Sequence, residues 1–95
     1  MATTHFIVHD KADTVGVIVV ENVKAGETLT GWVMEGDGTI KVKALDAIPL
    51  GHKIALKDMQ PGDTVMKYGH DIGKVVKPVA KGRHVHVQNV KTKRW

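Results

Sequence analysis

Short runs of valine and isoleucine, each interrupted by glycine within a few residues, set the rhythm of this chain. Val15-Gly16-Val17-Ile18-Val19-Val20 is a continuous β-branched run. Thr39-Ile40-Lys41-Val42-Lys43-Ala44 and His84-Val85-His86-Val87-Gln88-Asn89-Val90 alternate with period two. Branched side chains fit a pleated backbone, and a two-residue period puts one set of side chains on one face, so these segments predict strands. Glu35-Gly36-Asp37-Gly38 carries the glycine and aspartate that a backbone with positive φ requires. It predicts a hairpin between 29–34 and 39–43. No 3.6-residue periodicity runs longer than two turns, and the best helical candidate is one turn at Ala55-Leu56-Lys57-Asp58.

One pattern recurs: an apolar residue, two variable residues, glycine, two more, and a second apolar residue. It appears as Val23-Lys24-Ala25-Gly26-Glu27-Thr28-Leu29, Ile48-Pro49-Leu50-Gly51-His52-Lys53-Ile54, Met59-Gln60-Pro61-Gly62-Asp63-Thr64-Val65 and Val79-Ala80-Lys81-Gly82-Arg83-His84-Val85. Each copy reads as a tight turn whose glycine takes a geometry that a side chain opposes, followed by a strand that enters the core at its last position. The copies are unevenly spaced, which predicts a compact knot of hairpins and not a solenoid. For Gly26 and Gly62 the plain role of turn glycine suffices.

Ninety-five residues, 42% of them hydrophobic and 25% charged, predict one globular domain with one small core. With no cysteine, disulfides and thiolate metal sites are excluded. The N-terminus lacks the basic and apolar regions of a secretory leader, and no apolar run approaches the ~20 residues that span a bilayer. The expectation is a cytoplasmic chain without a membrane partner. A net charge of +4 favours anionic partners. Because the basic residues are dispersed and only Phe6, Trp32, Tyr68 and Trp95 are aromatic, nucleic acid is not the expected one.

Three segments carry a resemblance: Ile48-Pro49-Leu50-Gly51-His52-Lys53-Ile54-Ala55-Leu56, Val65-Met66-Lys67-Tyr68-Gly69-His70-Asp71-Ile72-Gly73, and Gly82-Arg83-His84-Val85-His86-Val87-Gln88-Asn89. In this order they resemble the N-terminal SAF domain of altronate and galactarate dehydratases and of the small (alpha) subunit of (2R)-sulfolactate sulfo-lyase. The likeness runs from about Phe6 to Thr92. It implies an all-β fold of the β-clip type and a small subunit that is inactive alone. Such a subunit works with a large catalytic (beta) subunit, on a small anionic 2-hydroxy acid, with a divalent metal, iron, shared between the two chains. Sulfolactate cleavage to pyruvate and sulfite is the first expectation. A sugar-acid dehydratase subunit and a stand-alone SAF-fold binding module are the alternatives. The family commonly has a third histidine where this chain has Gln88, so no ligand role passes to that position.

Either reaction removes a weakly acidic proton beside a carboxylate and expels a β substituent, leaving an enol that becomes a 2-oxo acid. That calls for a cation or metal on the substrate oxygens, a positioned base and stabilisation of the leaving group. His84 and His86, two apart on a strand, share a face and can reach one metal or substrate, although a solvent-facing strand looks the same. His52 and Lys53 follow a glycine turn that can present imidazole and ammonium to an anion. Lys67 is a candidate carboxylate binder. Tyr68 is either a proton shuttle or an aromatic at the edge of the core, and Asn89 either orients a histidine or closes a turn. His5, His9 and His70 read as surface residues, and Trp32 and Trp95 as candidates for the subunit interface.

Overall fold

A computed structural model describes residues 4–10, 13–67, 70–86 and 90–92. Its strands are β1 (Phe6–Val8), β2 (Val15–Ile18), β3 (Thr28–Val33), β4 (Gly38–Lys43), β5 (Lys53–Ala55), β6 (Thr64–Lys67), β7 (His70–Val75), β8 (His84–Val85) and β9 (Val90–Thr92). Among the described residues they form a six-stranded sheet of order β4-β3-β1-β2-β5-β8 and a three-stranded sheet of order β6-β7-β9. The one helical element among them is a 3-10 turn at Glu35–Asp37, so the fold class is all-β as expected.

All four copies of the recurrent pattern adopt the same turn. The N–H of its fourth residue donates to the C=O of its first: Glu27 to Lys24, His52 to Pro49, Asp63 to Gln60 and Arg83 to Ala80. Gly26, Gly51, Gly62 and Gly82 occupy the third position of the turn with φ between 86° and 94°, and Pro61 holds the second position of its turn. That is the geometry of a type II turn, where a β-carbon at the third position is strained. The first apolar residues pair across copies as isolated bridges, Val23 with Ile48 and Met59 with Val79, and all four are buried. Leu29, Ile54, Val65 and Val85, which end the copies, are buried as well.

Two apolar clusters result. One gathers Phe6, Ile18, Leu29, Val42, Ile48 and Ile54, and the other Val15, Ala55, Met59, Val65, Val75 and Val85. Strands β2 and β5 are buried on both faces, since Ile54 faces the first cluster and Ala55 the second. Thr14 joins the sheets: its N–H donates to the Met66 C=O, and its Oγ1 accepts from the Met66 N–H at 2.9 Å.

Two expectations are corrected. The segment Ala55-Leu56-Lys57-Asp58 forms no helical turn. Ala55 ends β5, and the Leu56 N–H donates to the Thr14 C=O, which draws the chain toward the second sheet. The alternating run from His84 to Val90 is not one strand either, because β8 pairs with β5 in the large sheet and β9 with β7 in the small one. Alternation marks strands but not a change of sheet between them. The 29–34 and 39–43 hairpin is present as β3 and β4, in antiparallel register from Thr28↔Lys43 to Val33↔Gly38.

Candidate functional site

The antiparallel register of β5 and β8 builds the site. Lys53 lies opposite Val85 and Ile54 opposite His84, so one step further His52 faces His86. Directly opposed residues share a face and stand about 4.5–5.5 Å apart at their β-carbons. The imidazoles of His52, His84 and His86 therefore emerge together beyond Ile54, while Val85 turns away into the second cluster, 1% exposed. The His52 and His86 rings stack with centroids 4.1 Å apart, and the His52 and His84 centroids are 4.9 Å apart. His52 Nδ1 and His84 Nε2 share a hydrogen bond of 2.8 Å.

An aspartate fixes the strand beneath the rings. Asp46 Oδ2 accepts the His84 backbone N–H at 3.0 Å, and Asp46 Oδ1 pairs with the Arg83 guanidinium at 2.9 Å. Burial works upward on the Asp46 carboxyl, but the His84 N–H and the Arg83 cation outweigh it and hold the group below its ordinary value. His84 titrates below the ordinary imidazole range, first because it is partly buried and then because His52 and His86 repel a second proton; Asp46 opposes this. His86 is lowered in the same direction by burial, His52 and the nearby Lys53 ammonium.

Neutral imidazole is the form that binds metal. One ligand nitrogen from each of the three histidines lies within 4.8 Å of the others, and no carboxylate joins the group among the described residues. Two imidazole nitrogens at right angles on a metal, each ~2.1 Å from it, stand about 3 Å apart. The His52 and His84 nitrogens already meet that separation, and an all-imidazole donor set suits zinc, copper, iron or nickel. The residues present therefore fit a divalent transition metal.

Of the residues singled out in the sequence, His84 and His86 do share a face. His52, expected beside the substrate, joins them as a third imidazole, and Lys53 is close enough for its charge to act on His86. Tyr68, Asn89, Gln88 and Trp95 lie outside the described residues, as does the side chain of Lys67. His5 has a structural partner, its Nδ1 accepting the Thr30 N–H at 2.9 Å. Trp32 is partly buried and donates its indole N–H to Asp37 across its own hairpin at 2.8 Å. Asp46 was not legible in the sequence, since a lone aspartate before a turn carries no signal of the strand it will grip.

Comparison with known proteins agrees with this architecture. The family described as "Altronate/galactarate dehydratase SAF domain" matches residues 4–93. The chain belongs to this family. A SAF-domain relative named (2R)-sulfolactate sulfo-lyase subunit alpha, from Chromohalobacter salexigens, is 58% identical over 95% of this chain and 96% of its own length. One of the same name from Paracoccus pantotrophus is 49% identical over 66% of this chain and 94% of its own length. Altronate dehydratase of Bacillus subtilis is 33% identical over 92% of this chain, but the match covers only 16% of that protein.

Proposed function

We propose that this chain is the small subunit of a two-subunit carbon–sulfur lyase that converts (2R)-sulfolactate to pyruvate and sulfite, acting with a large catalytic subunit. The observation that carries the reading is the 58% identity to a sulfo-lyase alpha subunit across nearly the full length of both chains. In the reaction the C2–H and C3–S bonds break, sulfite leaves with the C–S electron pair, and the resulting enol becomes pyruvate.

In this reading His52, His84 and His86 hold a divalent metal, iron, at a site completed by the large subunit. A metal held there would supply Lewis-acid stabilisation of the negative charge that develops on a 2-hydroxy acid as its proton leaves. Lys53, whose ammonium acts on His86, attracts the dianionic substrate toward the cluster, and Asp46 keeps β8 in register so that the imidazoles converge. Lys67, Tyr68 and Asn89 complete the proposed set as carboxylate binder, proton shuttle and orienting group. With the three imidazoles holding a metal, the proton acceptor would come from the partner.

The test is turnover with the large subunit co-expressed. Sulfite is released from (2R)-sulfolactate by the pair and not by this chain alone, and His84→Ala or His86→Ala lowers kcat at least about a hundredfold. Undiminished turnover in those variants would remove the site. The 33% identity to altronate dehydratase favours one second reading, a sugar-acid dehydratase subunit. Loss of water from altronate or galactarate without any sulfite would select it.

A further inference from the structure

We propose that the outer face of the large sheet, around Ile7, Val17 and Trp32, is the seat of a companion polypeptide, which covers it with an apolar segment bordered by carboxylates. This rests on the reading of the chain as one subunit of a larger enzyme and says which surface the other subunit grips. Strand register builds the face. Thr39 lies opposite Trp32, Trp32 opposite Ile7, Ile7 opposite Val17, and Val17 opposite Lys53. Residues opposed in register point to the same side, so these five stand in one row across β4, β3, β1, β2 and β5. Val19 continues the face just past β2, where its N–H donates to the His5 C=O, and is 41% exposed.

The protein covers only part of this face itself. Val15, Ala55 and Val85 lie on the same side by the same registers and are buried in the cluster shared with Val65 and Val75 of the small sheet. Beyond that cover the apolar character continues through Val17, Ile7 and Trp32, each only partly buried. The Trp32 indole N–H is already satisfied by Asp37, so what the ring offers a partner is its apolar surface. Single exposed apolar residues are ordinary, whereas a contiguous row that includes a tryptophan has the composition of an interface centre. Lys53 stands in the row while its neighbour His52 points to the other side of the strand, so a chain seated here reaches the histidine cluster around the end of β5.

Charge selects the occupant. On β4 the same face carries Lys41 opposite Thr30 and Lys43 opposite Thr28. Both lysines are exposed, and among the described residues neither forms an ion pair. Lys41 is the diagonal neighbour of Trp32, so its ammonium borders the row. The one carboxylate shown to reach the row, that of Asp37, is engaged by the indole. A second copy docks in a two-fold pair through the same patch and brings lysines to lysines. Nucleic acid calls for several stacking rings, and among the described residues Trp32 is the one aromatic side chain on this face. A polypeptide with carboxylates around an apolar centre matches both the row and its lysine border.

The experiment treats the complex of this chain with the large subunit with a carbodiimide, which joins an amine to a carboxylate in contact with it, and reads the links by peptide mass spectrometry. Links from Lys41 or Lys43 to aspartate or glutamate of the large subunit are expected; links from other lysines of this chain but from neither of these two overturn the proposal. Calorimetry with the separately purified subunits compares wild type, Lys41→Glu/Lys43→Glu and Val19→Lys with Val76→Lys and Lys77→Glu, which follow β7. Every altered side chain is on the surface, and circular dichroism with a urea melt verifies each fold. The lysine double variant and Val19→Lys weaken association tenfold or more, Val76→Lys and Lys77→Glu leave it unchanged, and added salt weakens wild-type binding. Unchanged association in the double variant overturns the proposal, as does equal loss in the controls. A dimer of the isolated chain that Val19→Lys dissolves, or retention on a single-stranded oligonucleotide that the double variant abolishes, also overturns it, since the occupant is then a second copy or a nucleic acid. Sulfite release by the wild-type pair is read in parallel. Turnover together with undiminished binding of the double variant sinks the docking face alone, whereas a wild type that neither binds the large subunit nor turns over sinks the subunit reading with it.

Discussion

Gly82 shows how one residue can decide the geometry of the site. It has φ +91°, and a β-carbon built there would lie 2.1 Å from the Lys43 carbonyl oxygen. Backbone cannot yield as a flexible side chain can, so Gly82→Ala combines left-handed strain with a forced shift of the strand carrying His84. Gly26 has nearly the same φ, with nothing within 4 Å of the same added atom. Gly26→Ala is expected to cost about 1 kcal/mol from conformation alone, and Gly82→Ala about 3 kcal/mol or more. Urea unfolding of the two variants checks this, and equal losses would mean that Lys43 moves aside freely. The sequence marks both glycines as turn residues in the same pattern. It cannot separate them, because the atom that makes Gly82 special belongs to a residue 39 positions earlier.

At the scale of elements, the four turns explain where chemistry could be placed. In two copies the fourth residue is an acid that closes its own turn: Glu27 Oε1 accepts the Lys24 N–H and Asp63 Oδ2 the Gln60 N–H. In the other two that position holds His52 and Arg83, whose side chains reach His84 and Asp46 instead. One scaffold turn thus closes on itself twice and serves the site twice. Strand packing has a similar hidden determinant in Phe6, whose ring lies against Gly31 of β3 and Gly16 of β2. A β-carbon at Gly31 would meet that ring at 2.1 Å. Gly31→Ala is expected to destabilise by about 1–3 kcal/mol, and a double-mutant cycle with Phe6→Leu should recover part of the loss. Additive losses in unfolding midpoints would show that the ring and the glycine are uncoupled. Alternation and β-branching made most strands legible, but not the break between β8 and β9, since period two is the same in both sheets.

At the scale of the molecule, the histidine cluster ties positions far apart in the chain. A divalent metal bound by His52, His84 and His86 stabilises only the folded state, since the unfolded chain does not bring these residues together. Saturating metal, at about a hundred times its Kd, is expected to add roughly 2.7 kcal/mol and raise the Tm by about 10 °C or more. Scanning calorimetry should show the gain in wild type and its absence in His52→Ala and His84→Ala. Without metal the same cluster gives a pH dependence. His84 and His86 resist protonation when folded, so as pH falls below the ordinary value of 6.5 the unfolded state takes up protons first and stability declines until the folded values are passed. Asp46 acts in a lower window: its stabilisation is present above the ordinary 3.8 and is lost as pH falls through its lowered folded value. Urea midpoints at pH 8, 6 and 5 should therefore decline, and less steeply in His84→Ala.

What the sequence determined alone is local: the strands, the hairpin, the glycine turns and the shared face of His84 and His86 follow from periodicity and backbone sterics, which act over a few residues. Family resemblance was legible for the same reason, being carried by short motifs in order. The tertiary structure alone decided that His52 stands opposite His86 and that Asp46 grips β8. Those facts depend on strand register and sheet order, which are set by how two small clusters of apolar side chains pack together and are written at no single position of the chain.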